Sequence, residues 1–266
     1  MKSPLSIIWR STPIVAALFA GATSQAALVA YFPLDGVNGA NTSTITATID
    51  DAGHAVTSGT ANNNDASWVN DATRGSVLFS PGTNRFLAGT QDINVTTGNG
   101  FSWSFWARAG ADTAGVVLGT RNGTWHKLQF GEVDGPGLAD FRYSSTGTLN
   151  NNGASTANFS DGNWHHVAYV GDDTGVRIYI DGVLSGGDTS LSASTYNGQF
   201  EIGGSTRFSE YVDVYLDELA VFSVALTEGQ ITSLAGGADV QTILIPEPST
   251  VIMSSLGMLL LLRRRR

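Results

Sequence analysis

The chain has 266 residues, no cysteine, 14% charged residues and a formal charge of −9. With no cysteine there is neither a disulfide framework nor thiolate chemistry. Six of the 14 Lys and Arg and one of the 23 Asp and Glu lie in the two chain ends, so residues 27–245 carry −14, with Lys127 the only lysine; the lack of a basic stripe argues against nucleic-acid binding, and acidic polysaccharides would be repelled unless a cation bridges them.

Lys2 and Arg10 form a basic start, Pro13 to Thr23 is a short uncharged apolar run, and Ser24-Gln25-Ala26 supplies small residues. This order is that of a secretory signal peptide, 1–26, cleaved by signal peptidase between Ala26 and Ala27. The run is too short for a lasting anchor.

Residues 27–237 form the body. Short alternating apolar runs, few helix formers and abundant Gly, Thr, Ser, Asn and Asp predict an all-β chain. Ala27–Leu34 is the first strand, ended by Asp35-Gly36. Residues 38–70 are expected as long loops with one or two short strands around Ile45–Ile49. Ser76–Ser80 is a strand. Phe101–Ala107 alternates, with Phe101, Trp103, Phe105 and Ala107 on one face and Ser102, Ser104 and Trp106 on the other. Gly115–Gly119, Lys127–Phe130 and Phe141–Tyr143 are short strands, and Ser144–Gly153 is a loop. Trp164–Val170 and Val176–Ile180 are strands, and Asp181-Gly182 between apolar runs marks a type I′ hairpin. Phe200–Ile202 and Tyr211–Phe222 complete the strands. Thr227 caps a short helix to Leu234, and Gly236-Gly237 opens a linker, 238–245.

The C-terminus carries Pro246-Glu247-Pro248-Ser249, an uncharged run to Leu262, and Arg263–Arg266. The prolines keep the tetrapeptide extended. As a helix the run covers about 21 Å against a hydrocarbon core of about 30 Å, and the arginines hold its end on the cytoplasmic side. Motif, short apolar helix and Arg cluster, 246–266, resemble the PEP-CTERM sorting signal of Gram-negative bacteria that make exopolysaccharide. The resemblance implies a membrane-inserted precursor and an exosortase-type protease acting at Pro246, Glu247, Pro248 and Ser249.

The body resembles the laminin-G-like branch of the concanavalin A-like jelly rolls. The matching pieces are Tyr31-Phe32-Pro33-Leu34-Asp35-Gly36, Phe101-Ser102-Trp103-Ser104-Phe105-Trp106 and Asn163-Trp164-His165-His166-Val167-Ala168. They continue with Val176-Arg177-Ile178-Tyr179-Ile180-Asp181-Gly182, Glu201-Ile202-Gly203-Gly204 and Leu216-Asp217-Glu218-Leu219-Ala220-Val221-Phe222. The resemblance implies a two-sheet antiparallel β-sandwich that binds sugars, proteins or calcium, in most members without catalysis. The acidic loops offer hard oxygen donors suited to calcium, and Asp35 and Asp217, near the positions where this family ties its two ends together, are the candidate ligands.

Three aromatics in polar contexts, Trp68, Trp125 and Tyr143, are candidate platforms for a pyranose face; Trp103 and Trp164 are assigned to the core. His165 and His166 are adjacent on a strand and point to opposite faces, so one packs and one is solvated rather than both binding a metal. The segment Glu210 to Glu218 invites comparison with laminarinase-type glycosidases of this sandwich. Asp213 and Asp217 share a face with Tyr215 between them, and Glu218 falls on the other, so the carboxylate spacing is broken. The expectation is therefore an exported, non-enzymatic surface or matrix module, of the envelope or biofilm, that binds a carbohydrate or protein. A β-glycanase and a purely structural matrix protein are the alternatives.

Overall fold

The computed structural model describes residues 28–40, 44–46, 49–50, 55–58, 66–80, 87–95, 100–110, 113–120, 125–131, 139–144, 150–154, 160–189, 196–205 and 209–244. Both proposed terminal signals, including Ala26, Ala27 and Pro246–Ser249, lie outside these residues. Among the described residues no helix is long and apolar enough to cross a membrane.

The strands are β1 (Leu28–Phe32), β2 (Thr44–Thr46), β3 (Ile49–Asp50), β4 (Ala55–Ser58), β5 (Ser67–Asp71), β6 (Gly75–Ser80) and β7 (Leu87–Val95). Then come β8 (Phe101–Arg108), β9 (Gly115–Thr120), β10 (Trp125–Phe130), β11 (Ala139–Ser144), β12 (Asn150–Ala154) and β13 (Trp164–Asp172). Last are β14 (Gly175–Ile180), β15 (Val183–Asp188), β16 (Tyr196–Ile202), β17 (Gly204–Ser205), β18 (Glu210–Tyr211) and β19 (Val214–Phe222), followed by helix α1 (Glu228–Ala235).

They form two antiparallel sheets. The first runs β15-β14-β13-β8-β19-β1-β3, with β6 also on β19 and β5 on β6; the second runs β12-β11-β10-β9-β16-β7-β4-β2; β17 and β18 make a small ribbon. Between the sheets lies a core of Phe101, Trp103 and Phe105 from β8, Val167 and Tyr169 from β13, Ile178 from β14 and Val221 from β19, facing Leu118, Leu128, Phe130 and Ile202 of the second sheet. The alternation expected in residues 101–107 is what aims these rings inward. Asp181 and Gly182 take φ of 53° and 81°, the positive values a type I′ hairpin requires.

The outer face of the first sheet has a cover of its own at one end. Ile231 and Leu234 of α1 pack with Ala168, Val170, Tyr179, Ala220 and Phe222. The helix starts as expected: the Gln230 amide donates to the Thr227 hydroxyl and the Gln230 side chain returns to the Thr227 amide. Ser102 ties the same end, its hydroxyl donating to the Val224 carbonyl and accepting from the Leu226 amide.

Several segments differ from expectation. Residues 38–70 hold β2 and β3, at the short strands expected around Ile45–Ile49, and in addition β4 and most of β5; β7 and β12 form where no strand was expected. In sequence these segments lack sustained apolar alternation, and each pairs with a neighbouring strand. Val240, expected in a linker, is buried in the outer cluster beneath α1, so the packed body extends past residue 237.

Candidate functional site

The uncovered end of the same outer face carries the most developed polar site among the described residues. The register sets two rows of side chains. Trp164 pairs with Arg108, Arg108 with Tyr215, and Tyr215 with Phe79; one step away, His166 pairs with Trp106 and Trp106 with Asp217. Ser102, Ser104, Trp106 and Arg108 share this face because each is two residues from the next.

Arg74, from the β5–β6 turn, lies over both rows. Its guanidinium carbon is 4.2 Å from the Trp106 ring centre and 5.6 Å from that of Trp164. Arg108 sits 5.3 Å from the Trp164 ring and 4.2 Å from the Tyr215 ring. Phe79 extends the stack, 4.6 Å from Tyr215. Cations over indole faces in a half-buried setting attract by about 0.5–2 kcal/mol each.

Carboxylates fix both arginines. Asp71 accepts from Arg108 at 2.7 Å through one oxygen; through the other it accepts from the Thr73 hydroxyl at 2.6 Å, the Thr73 amide at 2.8 Å and the Arg74 amide at 3.1 Å. Burial pushes the Asp71 carboxyl up, but the hydrogen bonds from Thr73 and Arg74 outweigh it and hold the group well below the ordinary carboxylate range. Arg74 Nε donates to Asp217 at 2.6 Å, and its terminal nitrogen is 3.5 Å from Glu218.

Asp217 and Glu218 meet the same arginine because of a bulge. Between Asp217 and Ala220 the register with β8 slips, and Glu218 takes φ of 50°. The extra residue turns Glu218 toward Arg74, which corrects the expectation that it faces away from Asp217. At this bulge β19 also exchanges one partner for another: Val214–Leu216 pair with β6, and Leu219–Phe222 pair with β1. The sheet splits there, and Arg74 fills the split. Asp217 is 4% exposed. Burial pushes its carboxyl up to about 7 against the pull of Arg74, with repulsion from Glu218 and Asp35 adding to the rise.

The two residues named for calcium are thus close enough to repel, but Asp217 is held by Arg74 and Asp35 is exposed. Among the described residues no three His, Cys, Asp or Glu side chains converge on a metal position. Arg74 is the positive group that Asp217 and Glu218 meet at this point.

Beside Arg74 and Arg108 opens a cleft of about 450 Å³, lined by Asp71, Ala72, Thr73, Arg74, Trp106, Arg108, Gly162, Asn163 and Trp164. Trp164, assigned to the core from sequence, is half-buried and forms part of this wall. Trp68, expected as an exposed platform, belongs instead to the core at 8% exposure, because β5 turns it onto Gly36. Trp125 lies in β10 and Tyr143 in β11, one register step apart, since Trp125 pairs with Ser144 and His126 with Tyr143. They belong to the second sheet, away from the cleft. On β10 as well, Lys127 is buried and paired with Glu210. His166 is buried against Ser104 and Trp106, and burial pushes it down to about 4; His165 is half-buried between two carboxylates, so the pair splits to opposite faces as expected.

The family model of the concanavalin A-like lectin/glucanases superfamily, laminin-G type 3, matches residues 81–232, more than half of the chain. The chain belongs to this superfamily. Among solved structures it is similar to domain 4 of AbnA, a GH43 extracellular arabinanase from Geobacillus stearothermophilus solved with arabinotriose. That likeness has 20% identity and a TM-score of 0.61, covering 79% of this chain and 99% of that one. It is also similar to the binding domain of Paraclostridial Mosquitocidal Protein 1, at 14% identity and TM-score 0.59, and to the receptor-binding domain of botulinum neurotoxin type G, at 11% and 0.55. The chain covers 79% of itself but only 52% and 51% of those two domains. No curated protein matches it.

Proposed function

We propose that this member of the superfamily is an exported binding module that holds an uncharged glycan in the cleft beside Arg74 and Arg108 without turning it over. The observation that carries the reading is the cleft itself: two half-buried indoles, Trp106 and Trp164, with guanidinium groups and Asn163 fixed beside them. Aromatic walls with a few placed polar groups suit a sugar's mixed surface. Arg74 is paired with Asp217 and Glu218 and Arg108 with Asp71, so neither guanidinium is left over to demand an anionic ligand. Support also comes from the similar arabinanase domain, whose structure holds arabinotriose.

A glycanase needs an acid that reaches the glycosidic oxygen. Asp217 is poised at about 7 but is buried behind Arg74 and does not line the cleft. The paired signals at 1–26 and 246–266 support export by way of signal peptidase and an exosortase-type protease to the cell surface or an exopolysaccharide-associated matrix.

A glycan array on the full chain, followed by calorimetry of the hits with Trp164→Ala, tests the reading. Binding lost at least ten-fold in the variant is the expected result. Binding indifferent to Trp164 and Trp106 would remove the cleft from the function. Array silence favours a structural matrix role, and release of reducing ends from a β-glucan that Asp213→Asn abolishes would make the protein an enzyme.

A further inference from the structure

We propose that His165 is a proton-operated clasp that orders the wall of the cleft formed by Gly162, Asn163 and Trp164. The clasp itself stands on geometry alone; its effect on ligand affinity rests on the reading of the cleft as the glycan site.

The wall is a short loop leading into β13, and Asp161 organises it. One Asp161 oxygen accepts from the Asn163 amide at 2.8 Å, and the other from the Asn163 side chain at 2.9 Å. The first oxygen also faces His165 Nε2 at 3.1 Å. On the far side, His165 Nδ1 faces an Asp181 oxygen at 2.7 Å. Asp181 is itself fixed: its second oxygen accepts from the His166 amide at 2.9 Å, and its own amide donates to the His166 carbonyl at 2.8 Å. Both ring nitrogens of His165 therefore face carboxylate oxygens.

An ionised carboxylate only accepts. A neutral imidazole has one N–H and one lone pair, so it can satisfy one of these contacts and must oppose the other with a lone pair. Only the imidazolium donates to both. The longer contact, to Asp161, is the one released on deprotonation, because Asp181 is held by the hairpin backbone and Asp161 belongs to the loop.

The surrounding charges favour the closed form. From the β8 side the register partner of His165 is Ala107, which brings no charge; Arg108, next along, is on the opposite face with Trp164 and Asp71. Helix α1, which packs on β13, has Glu228 as its only charged residue. The adjacent His166 is buried on the other face and uncharged near neutral pH. Burial works against the imidazolium, but the hydrogen bonds and charges of Asp181 and Asp161 outweigh it, and His165 titrates above its ordinary 6.5. The clasp is thus closed on the acid side of the native titration and opens as the pH rises through it.

Histidine-detected NMR of the intact protein across pH 5.5–9 tests this. The expected result is a His165 ring carrying protons on both nitrogens at pH 6, a midpoint above 6.5, and Trp164 indole and Asn163 side-chain signals that shift with the same midpoint. Asp161→Asn, which keeps a side-chain acceptor but removes its charge, should lower the midpoint. His165→Gln should abolish the coupled shifts. A neutral His165 at pH 6, or Trp164 and Asn163 signals that ignore its titration, overturns the clasp. With arabinotriose as probe, calorimetry should show affinity falling about five-fold across the titration in the parent protein and staying flat in His165→Gln. Coupled NMR titration without arabinotriose binding at any pH would support the clasp and count against the glycan reading.

Discussion

Replacing Asp217 by Asn should make the protein more resistant to alkaline conditions, although it breaks an ion pair. The carboxyl rises from an ordinary 3.8 to about 7 in the folded protein because burial costs it more than Arg74 returns. Between those values the native state keeps a proton that the unfolded chain gives up, so stability falls as pH rises, and the full penalty is present above pH 7. The displacement corresponds to about 4 kcal/mol in total, of which about 3 kcal/mol develops between pH 5 and pH 8. Asparagine does not ionise and carries no such penalty. For a body of this length 1 kcal/mol moves the melting temperature by about 2–4 °C, so the gap between Asp217→Asn and the parent should widen by about 5–10 °C from pH 5 to pH 8. Parallel melts by circular dichroism at the two pH values measure it. The same gap at both values refutes the argument. A parent protein that gains on the variant as pH rises refutes it more strongly, since that is how an arginine-stabilised carboxylate with a lowered titration would behave.

Gly36→Ala should destabilise the fold by about 1–3 kcal/mol, because an added Cβ would lie 2.1 Å from the Trp68 ring; a melting temperature equal to the parent's would contradict the packing. Thr227→Ala removes the hydroxyl that accepts from the Gln230 amide in the capping box on α1 and should cost about 1 kcal/mol, seen as a lower denaturant midpoint with an unchanged slope. Mass spectrometry of the secreted form should find a start near Ala27 and an end near Pro246–Ser249, and Arg266 on that form in the native host would rule out the sorting role.

The β-sandwich was legible because its central strands bury alternating large side chains. Phe101-Trp103-Phe105 and Val176-Ile178-Ile180 announce their inner face without reference to any partner. The Asp181-Gly182 turn and the Thr227 cap were equally readable, since each depends on a few adjacent residues. What failed depends on pairing. Strands β4, β7 and β12 have little periodicity of their own, and each pairs with a neighbouring strand. The site failed for a related reason. Trp68 sits among polar residues in sequence yet turns onto Gly36, while Trp164 opens a strand that runs on into Val167–Val170 yet lines the cleft. Arg74 gave no local signal, because its partners Trp106, Trp164 and Asp217 come from three distant strands. The alternation of Ser102, Ser104 and Trp106, carried one step further to Arg108, was the available clue. The bulge at Glu218 breaks strict alternation, and no turn residue marks it.

The division of β19 between two partners also fixes when the molecule can be finished. Leu28 pairs with Phe222 and Ala30–Phe32 with Val221–Leu219, so the first strand among the described residues has no seat on that edge until β19 has been made. Such long-range closure is slow and late. A chain emerging from a ribosome or a translocation pore cannot complete its first sheet from the N-terminal side; it must remain open at that seam until almost all of it is through. If residues 1–26 act as the proposed export signal, late closure would keep the passenger threadable, and the formation of the Arg74 contacts would mark the moment of release on the far side.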